Sequence, residues 1–240
     1  MKLFKQITAT VIALGAINVA NATAFTITQT GAKPSTTTNW TDTASVNKFD
    51  GTLGTLQRVT LQIDGSALGD AGYENLAGSA NNITLTFGAD VTGSLTLSVV
   101  FGATANATVT NAFNNVPVYD GLTDFGGTSG GTLIGLNPTD TATGDTNLYT
   151  PIIRSLLLGD FTDADGLVGG LDTLPLDLGA TAASSATDTA GNVASQFNTS
   201  AAVDWTLTYY YDDNYVPSPA PLALIGLGLL GMGYLRRKAA

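Results

Sequence analysis

The chain has 240 residues, room for about one ordinary domain, with no cysteine and no histidine, which excludes disulfides, thiol nucleophiles, cysteine zinc sites and most histidine-dependent hydrolytic mechanisms. All 19 acidic residues lie between Phe25 and Val216. There the only bases are Lys33, Lys48, Arg58 and Arg154, leaving that span with a net charge of −15, a field that repels phosphate backbones and excludes nucleic acid as a partner.

Lys2 and Lys5 precede an apolar run from Ile7 to Ala20, and Ala22-Thr23-Ala24 precedes Phe25. Basic residues, an apolar stretch too short and too interrupted to span a bilayer, and small residues at Ala22 and Ala24 are the features of a secretory signal peptide, residues 1–24, cut by a signal peptidase after Ala24.

Residues 25–216 read as an all-β extracellular domain. Val59, Leu61 and Ile63 alternate with Arg58, Thr60 and Gln62, and Ile83, Leu85 and Phe87 with Asn82, Thr84 and Thr86. The same period runs through Leu95, Leu97, Val99 and Phe101, read as one strand, and through Trp205, Leu207, Tyr209 and Tyr211, so each strand has one apolar face. Asp64-Gly65, Ala89-Asp90, Asp120-Gly121 and Gly126-Gly127 read as turns, which makes an antiparallel β-sandwich, immunoglobulin-like or jelly-roll-like, the economical fold. The Gly-, Thr- and Asp-rich stretch from Asp120 to Asn147 is either a long loop or a decorated face. One short helix at most is expected, after Pro151, around Ile152, Ile153, Leu156 and Leu157.

Asp160, Asp163 and Asp165 before Gly166, with Asp172 to close the ring, offer hard oxygens suited to Ca²⁺. An EF-hand register would put Phe161 and Gly169 at ligand positions and is rejected; a different calcium loop is the alternative to plain turn capping. Apart from this Ca²⁺, no cofactor is indicated. Gly127-Thr128-Ser129-Gly130-Gly131 has the spacing of a nucleophile elbow but no histidine to serve it, and reads as a flexible loop. Trp205, Tyr209 and Tyr211 share the face of Leu207 and belong to the core, leaving Tyr210 on the other face as the better contact for a sugar ring.

Val216-Pro217-Ser218-Pro219-Ala220-Pro221 leads into the apolar segment Leu222 to Leu235 and then Arg236-Arg237-Lys238. As a helix those apolar residues reach only ~21 Å against a hydrocarbon core of ~30 Å, and the basic trio should remain cytoplasmic, placing the acidic domain outside. Residues 217–240 resemble the PEP-CTERM sorting signal of Gram-negative bacteria: Pro217 and Pro219 match its Pro-x-Pro motif, with Ser218 where the common form has Glu, and Arg236 and Arg237 match its basic cluster. The resemblance implies a transient transmembrane helix processed by an exosortase. Phe49-Asp50-Gly51-Thr52-Leu53-Gly54-Thr55-Leu56, Glu74-Asn75, Gly191-Asn192, Gln196-Phe197-Asn198-Thr199 and the closing Val203 to Tyr211 strand resemble the choice-of-anchor E family, which is found with such tails and carries no common enzymatic activity.

Three functions follow as expectations. The first is a non-enzymatic protein of the cell surface, extracellular matrix or biofilm, with signal peptidase and exosortase as export partners and exopolysaccharide as companion. The second is a carbohydrate- or calcium-binding module. The third, placed last, is a glycoside hydrolase built on two facing carboxylates, which needs no histidine.

Overall fold

A computed structural model of the protein describes residues 24–163 and 172–213, which belong to one compact unit. The chain runs β1 (Ala24–Thr37), β2 (Trp40–Asn47), β3 (Phe49–Asp50), β4 (Gly54–Asn75), β5 (Asn81–Thr96), β6 (Val100–Val116), β7 (Gly130–Leu136), β8 (Thr139–Asp145), α1 (Pro151–Phe161), β9 (Thr162–Asp163), β10 (Thr173–Ala182), β11 (Ser185–Asp188) and β12 (Val193–Asp213). The expected all-β sandwich with one short helix is what these residues form.

Each sheet is organised on one long antiparallel pair. In the first, β12 occupies one edge of β4 from Gly54↔Asp213 to Asn75↔Val193, so β7 and β8 must share the opposite edge, and β1 adds outside β12. In the second, β6 lies along the full length of β5, so β10 and β11 follow one another along its other edge, with β2 outside β10. β3 and β9 form a two-residue parallel pair.

The inner faces carry the apolar set that alternation marks out. Val59, Leu61 and Ile63 of β4 and Val203, Leu207 and Tyr209 of β12 are buried with Ile83, Leu85, Phe87 and Val91 of β5 in one core cluster. At one pole this core ends in an aromatic plug: Phe161 of α1 meets Phe101 and Tyr209 edge-on at 5.4 and 6.0 Å, and Phe49 lies against Tyr209 and Tyr211. Pro151 opens α1, where its missing N–H costs nothing, and Leu157 and Phe161 point into the plug while Ile152 stays exposed. Tyr209 donates from its hydroxyl to Asn47 O at 2.8 Å, and burial pushes its phenol pKa upward.

Three local expectations are corrected. Leu95, Leu97, Val99 and Phe101 are not one strand: β5 ends at Thr96, the chain turns, and Leu95 pairs with Phe101 across a hairpin. Two apolar residues flanking a tight turn keep the same parity as a continuous strand, so alternation alone does not register the reversal. Asp64-Gly65 and Ala89-Asp90 are not turns; they lie inside β4 and β5. Gly65 is in the core for lack of room, because a Cβ there would come within 2.9 Å of Val91 Cβ. Gly93 is its counterpart on the other sheet, where a Cβ would sit 2.2 Å from Ile63 Cδ1. The sheets thus interlock, Ile63 filling the hollow of Gly93 and Val91 that of Gly65.

Among the described residues no helix is long and apolar enough to cross a membrane. The signal segment with Ala22, and the sorting tail with Pro217, Pro219, Arg236 and Arg237, lie outside those residues, whereas Ala24 is the first residue of β1, opposite Asp212.

Gly93→Ala is expected to destabilise the fold by about 1–3 kcal/mol through overpacking. Adding Ile63→Val, which removes the clashing Cδ1, should restore part of that loss and give a favourable coupling of about 1 kcal/mol or more in a denaturation double-mutant cycle.

Candidate functional site

The long connection from Val116 to Gly130 is held by the one glutamate of the chain. Glu74 lies near the end of β4 and is fully buried, with no salt bridge among the described residues. Its Oε1 accepts a short hydrogen bond from the Ser129 hydroxyl, and its Oε2 accepts from the Phe125 N–H at 2.9 Å. Ser129, also fully buried, accepts in turn from the Asp120 N–H at 3.2 Å. The stretch Gly127–Gly131 is therefore no flexible loop at its serine; what spacing alone could not register is that a carboxylate from another strand takes the hydroxyl.

Two further side chains tie down this pole. Asn75 Nδ2 donates to the carbonyls of Ser79 and Pro117, and its Oδ1 accepts from the Ala77 N–H. Asn81 Oδ1 accepts from the Thr189 and Ala190 N–H groups while its Nδ2 donates to Asp188 at 2.8 Å. That bond is the main reason the Asp188 pKa is lowered. Within the loop itself Asp120 caps the Leu122 and Thr128 N–H groups, which lowers its pKa likewise.

Phe125 is the residue this arrangement constrains. Among the described residues three non-glycines have left-handed backbone: Asn39 and Asn115, which tolerate it, and Phe125 at φ +56°. A bulky side chain in that region carries backbone strain, which persists where surrounding contacts over-determine it. Here they include the Glu74 carboxylate, the Thr132 hydroxyl on the Phe125 carbonyl at 3.1 Å, and packing on Gly72, where a Cβ would lie 3.2 Å from Phe125 Cδ1.

Beside Phe125 is a cleft of about 240 Å³ on the outer face of the first sheet. Gly72 supplies its floor, Asp70 stands next to it on β4, Gln196 and Asn198 face it from β12, and Thr132 from β7. Asp70 Oδ1 accepts from the Gly135 N–H at 2.9 Å. Other open grooves among the described residues lie beside α1 at Gly51, Thr52 and Leu158, on the outer face of the second sheet at Asp42, Thr43, Thr92 and Asp177, and near Ser94, Gly102 and Tyr149.

Three of the four sequence-derived calcium residues lie among the described residues. Asp160 takes the Ser98 N–H at 2.8 Å and the Ser98 hydroxyl at 3.1 Å, closing the β5–β6 turn against α1. Asp163 is buried and accepts from the Asp172 N–H at 3.0 Å, while the Asp172 carboxylate lies 3.9 Å from Lys48 Nζ. Asp165 lies outside the described residues, among which no group of three or more acidic side chains is placed to hold a metal. Asp64 and Asp204 are cross-strand partners in the register of β4 and β12, and Asp64 takes hydrogen bonds from Gln62 and Thr141.

Tyr210 is on the outer face as its parity requires, but its ring is covered on one side by Arg58, whose guanidinium carbon is 4.9 Å from the ring centre. Arg58 in turn forks onto Asp145 at 2.6–3.0 Å. Burial is the largest influence on Asp145 and raises its pKa, yet the hydrogen bonds from Arg58 and the Asn147 N–H, with the charges of Arg58 and Arg154, outweigh it and hold the carboxyl low.

Two predictions follow from these contacts. At Phe125, Asn should be more stable than Ala by about 0.5–1 kcal/mol in chemical denaturation, because Asn tolerates the left-handed backbone and Ala does not. Asp145→Asn should cost roughly 1 kcal/mol near neutral pH. A depressed folded-state pKa contributes stability above the ordinary carboxylate range and loses it as pH falls, so the gap between wild type and Asp145→Asn should close below about pH 4 in thermal melts.

No protein-family model matches the chain, and no curated protein matches it. Among solved structures, a chain of the infectious bursal disease virus Gt strain aligns with 92% of this chain and 52% of its own length at 12% identity, with a TM-score of 0.09. The chain thus spans about half the length of that protein, and a likeness of this size carries no argument.

Proposed function

We propose that the protein is a non-enzymatic component of the cell surface or extracellular matrix of a Gram-negative bacterium, exported by its signal peptide, sorted and processed at its C-terminal tail by an exosortase, and retained among exopolysaccharide. On this reading an immunoglobulin-like or jelly-roll-like sandwich is flanked by a signal helix and a short transmembrane sorting helix. The observation that carries it is the order of segments in the sequence: a basic and apolar leader ending in Ala22-Thr23-Ala24, a domain with net charge −15, then Pro-x-Pro, a short apolar stretch and Arg236-Arg237-Lys238.

One feature of the fold supports it. Ala24 pairs with Asp212, so both tails depart from one pole of the domain, as suits a domain tethered temporarily to a membrane through either end. The acidic surface keeps such a domain soluble and repels anionic headgroups.

Intact-mass measurement with terminal peptide mapping, on membrane and extracellular fractions of the native host, tests this. The expected product lacks residues 1–24, ends near Pro217–Pro219 and cofractionates with extracellular polysaccharide. An intact tail found only in membranes overturns the proposal.

A further inference from the structure

We propose that the cleft over Gly72 is a binding subsite for a neutral pyranose chain, with Phe125 as the apolar contact and Gln196, Asn198 and Asp70 as the hydroxyl partners; this rests on the reading of the protein as a polysaccharide-associated export product and names the residues that would make the association.

Four observations carry the assignment. The site is a depression in the sheet, created because residue 72 has no side chain: Gln196 stands at its wall, and Phe125 flanks the same glycine from outside the lining, where a Cβ on residue 72 would lie 3.2 Å from Phe125 Cδ1. The side chains of Gln196 and Asn198 have no hydrogen-bond partner among the described residues, and only one Asp70 oxygen is engaged. An amide presents both donor and acceptor, and a half-used carboxylate accepts, which is the combination that vicinal hydroxyls satisfy. Phe125 is kept beside Gly72 in a strained conformation by a buried carboxylate with no salt bridge among the described residues, an arrangement that costs stability and positions an aromatic ring. The fourth observation selects the ligand class. A domain at −15 repels uronic-acid and sulfated polymers, and the cleft holds no basic residue to offset that field, so a neutral sugar fits.

The site differs from the one that the sequence favours. Tyr210 shares the outer face of the first sheet, but Arg58 covers one side of its ring, and it pairs with Arg58, far along β4 from Gly72.

The test is affinity electrophoresis of the full chain, in a polyoxyethylene detergent that carries no sugar, through gels containing a soluble mixed-linkage β-glucan, a galactomannan, or alginate as the anionic control. Retardation is expected in at least one neutral gel and not in alginate. Gln196→Ala with Asn198→Ala, and separately Phe125→Asn, should each weaken retardation by about tenfold without lowering the melting temperature, because the first pair is exposed and the second change relieves strain. Tyr210→Ala should leave it intact. Absence of retardation in both neutral gels, retardation unaffected by the cleft variants, or loss on Tyr210→Ala alone overturns the subsite. Terminal mapping reads export separately: a correctly processed chain that ignores both neutral polymers overturns the subsite alone, and a chain that binds them yet keeps its tail in the membrane overturns the sorting proposal alone.

Discussion

The antiparallel pairing of β4 with β12 is the constraint on which the remaining structure depends. These strands, of 22 and 21 residues, stay paired from Gly54↔Asp213 to Asn75↔Val193, so their common inner face sets the register of the whole core. Their period of two assigns Ile63, Leu61 and Trp205 inward together, and a slip of one residue would turn all of them out to water. β1, β7 and β8 only complete the edges. The second sheet then packs where β4 offers hollows and knobs: Gly65 receives Val91 and Ile63 fills the space above Gly93. Packing of this kind lets a chain without cysteine hold two broad sheets together by shape alone.

This dependence also explains which parts of the fold were legible in the sequence. Alternation around Ile63, Phe87 and Leu207 is a local signal, and it pointed to the correct face of β4, β5 and β12. The length of those strands was not legible, because Gly65 and the Ala89-Asp90 pair resemble turn sequences, and what keeps them extended is pairing on both edges with other strands of their own sheets. The helix was legible from Pro151 and the spacing of Ile153 and Leu157, since both capping and burial act within a few residues.

The cleft was hidden for a related reason. Its floor residue is a glycine, the aromatic residue beside that glycine lies in a Gly- and Asp-rich connection, and Gln196 and Asn198 are on a different strand more than a hundred positions from Gly72. One trace was present: position 74 is the only glutamate among eighteen aspartates. The extra methylene allows its carboxylate to reach both the Ser129 hydroxyl and the Phe125 N–H, a demand visible only once the loop is seen to fold over it. Asp160 likewise has a partner that spacing does not show: its carboxylate takes the N–H and hydroxyl of Ser98 on the β5–β6 turn.

The two ends of β4 separate the two roles that the proposals assign. Gly54 lies beside Asp213, from which the C-terminal tail departs, and Gly72 floors the cleft eighteen residues farther along the same strand. At about 3.4 Å per residue that distance is up to about 60 Å, less the shortening that twist imposes. The stretch of β12 carrying Gln196 and Asn198 extends past the last pairing of β1, Thr37↔Ser200, so no outer strand walls the cleft on that side. A polymer can approach along the sheet and engage one unit without threading an end, which suits a matrix chain that offers few ends. Long strands thus supply the stiffness, and the single buried glutamate holds Phe125 at the end of β4 opposite to Gly54 and Asp213.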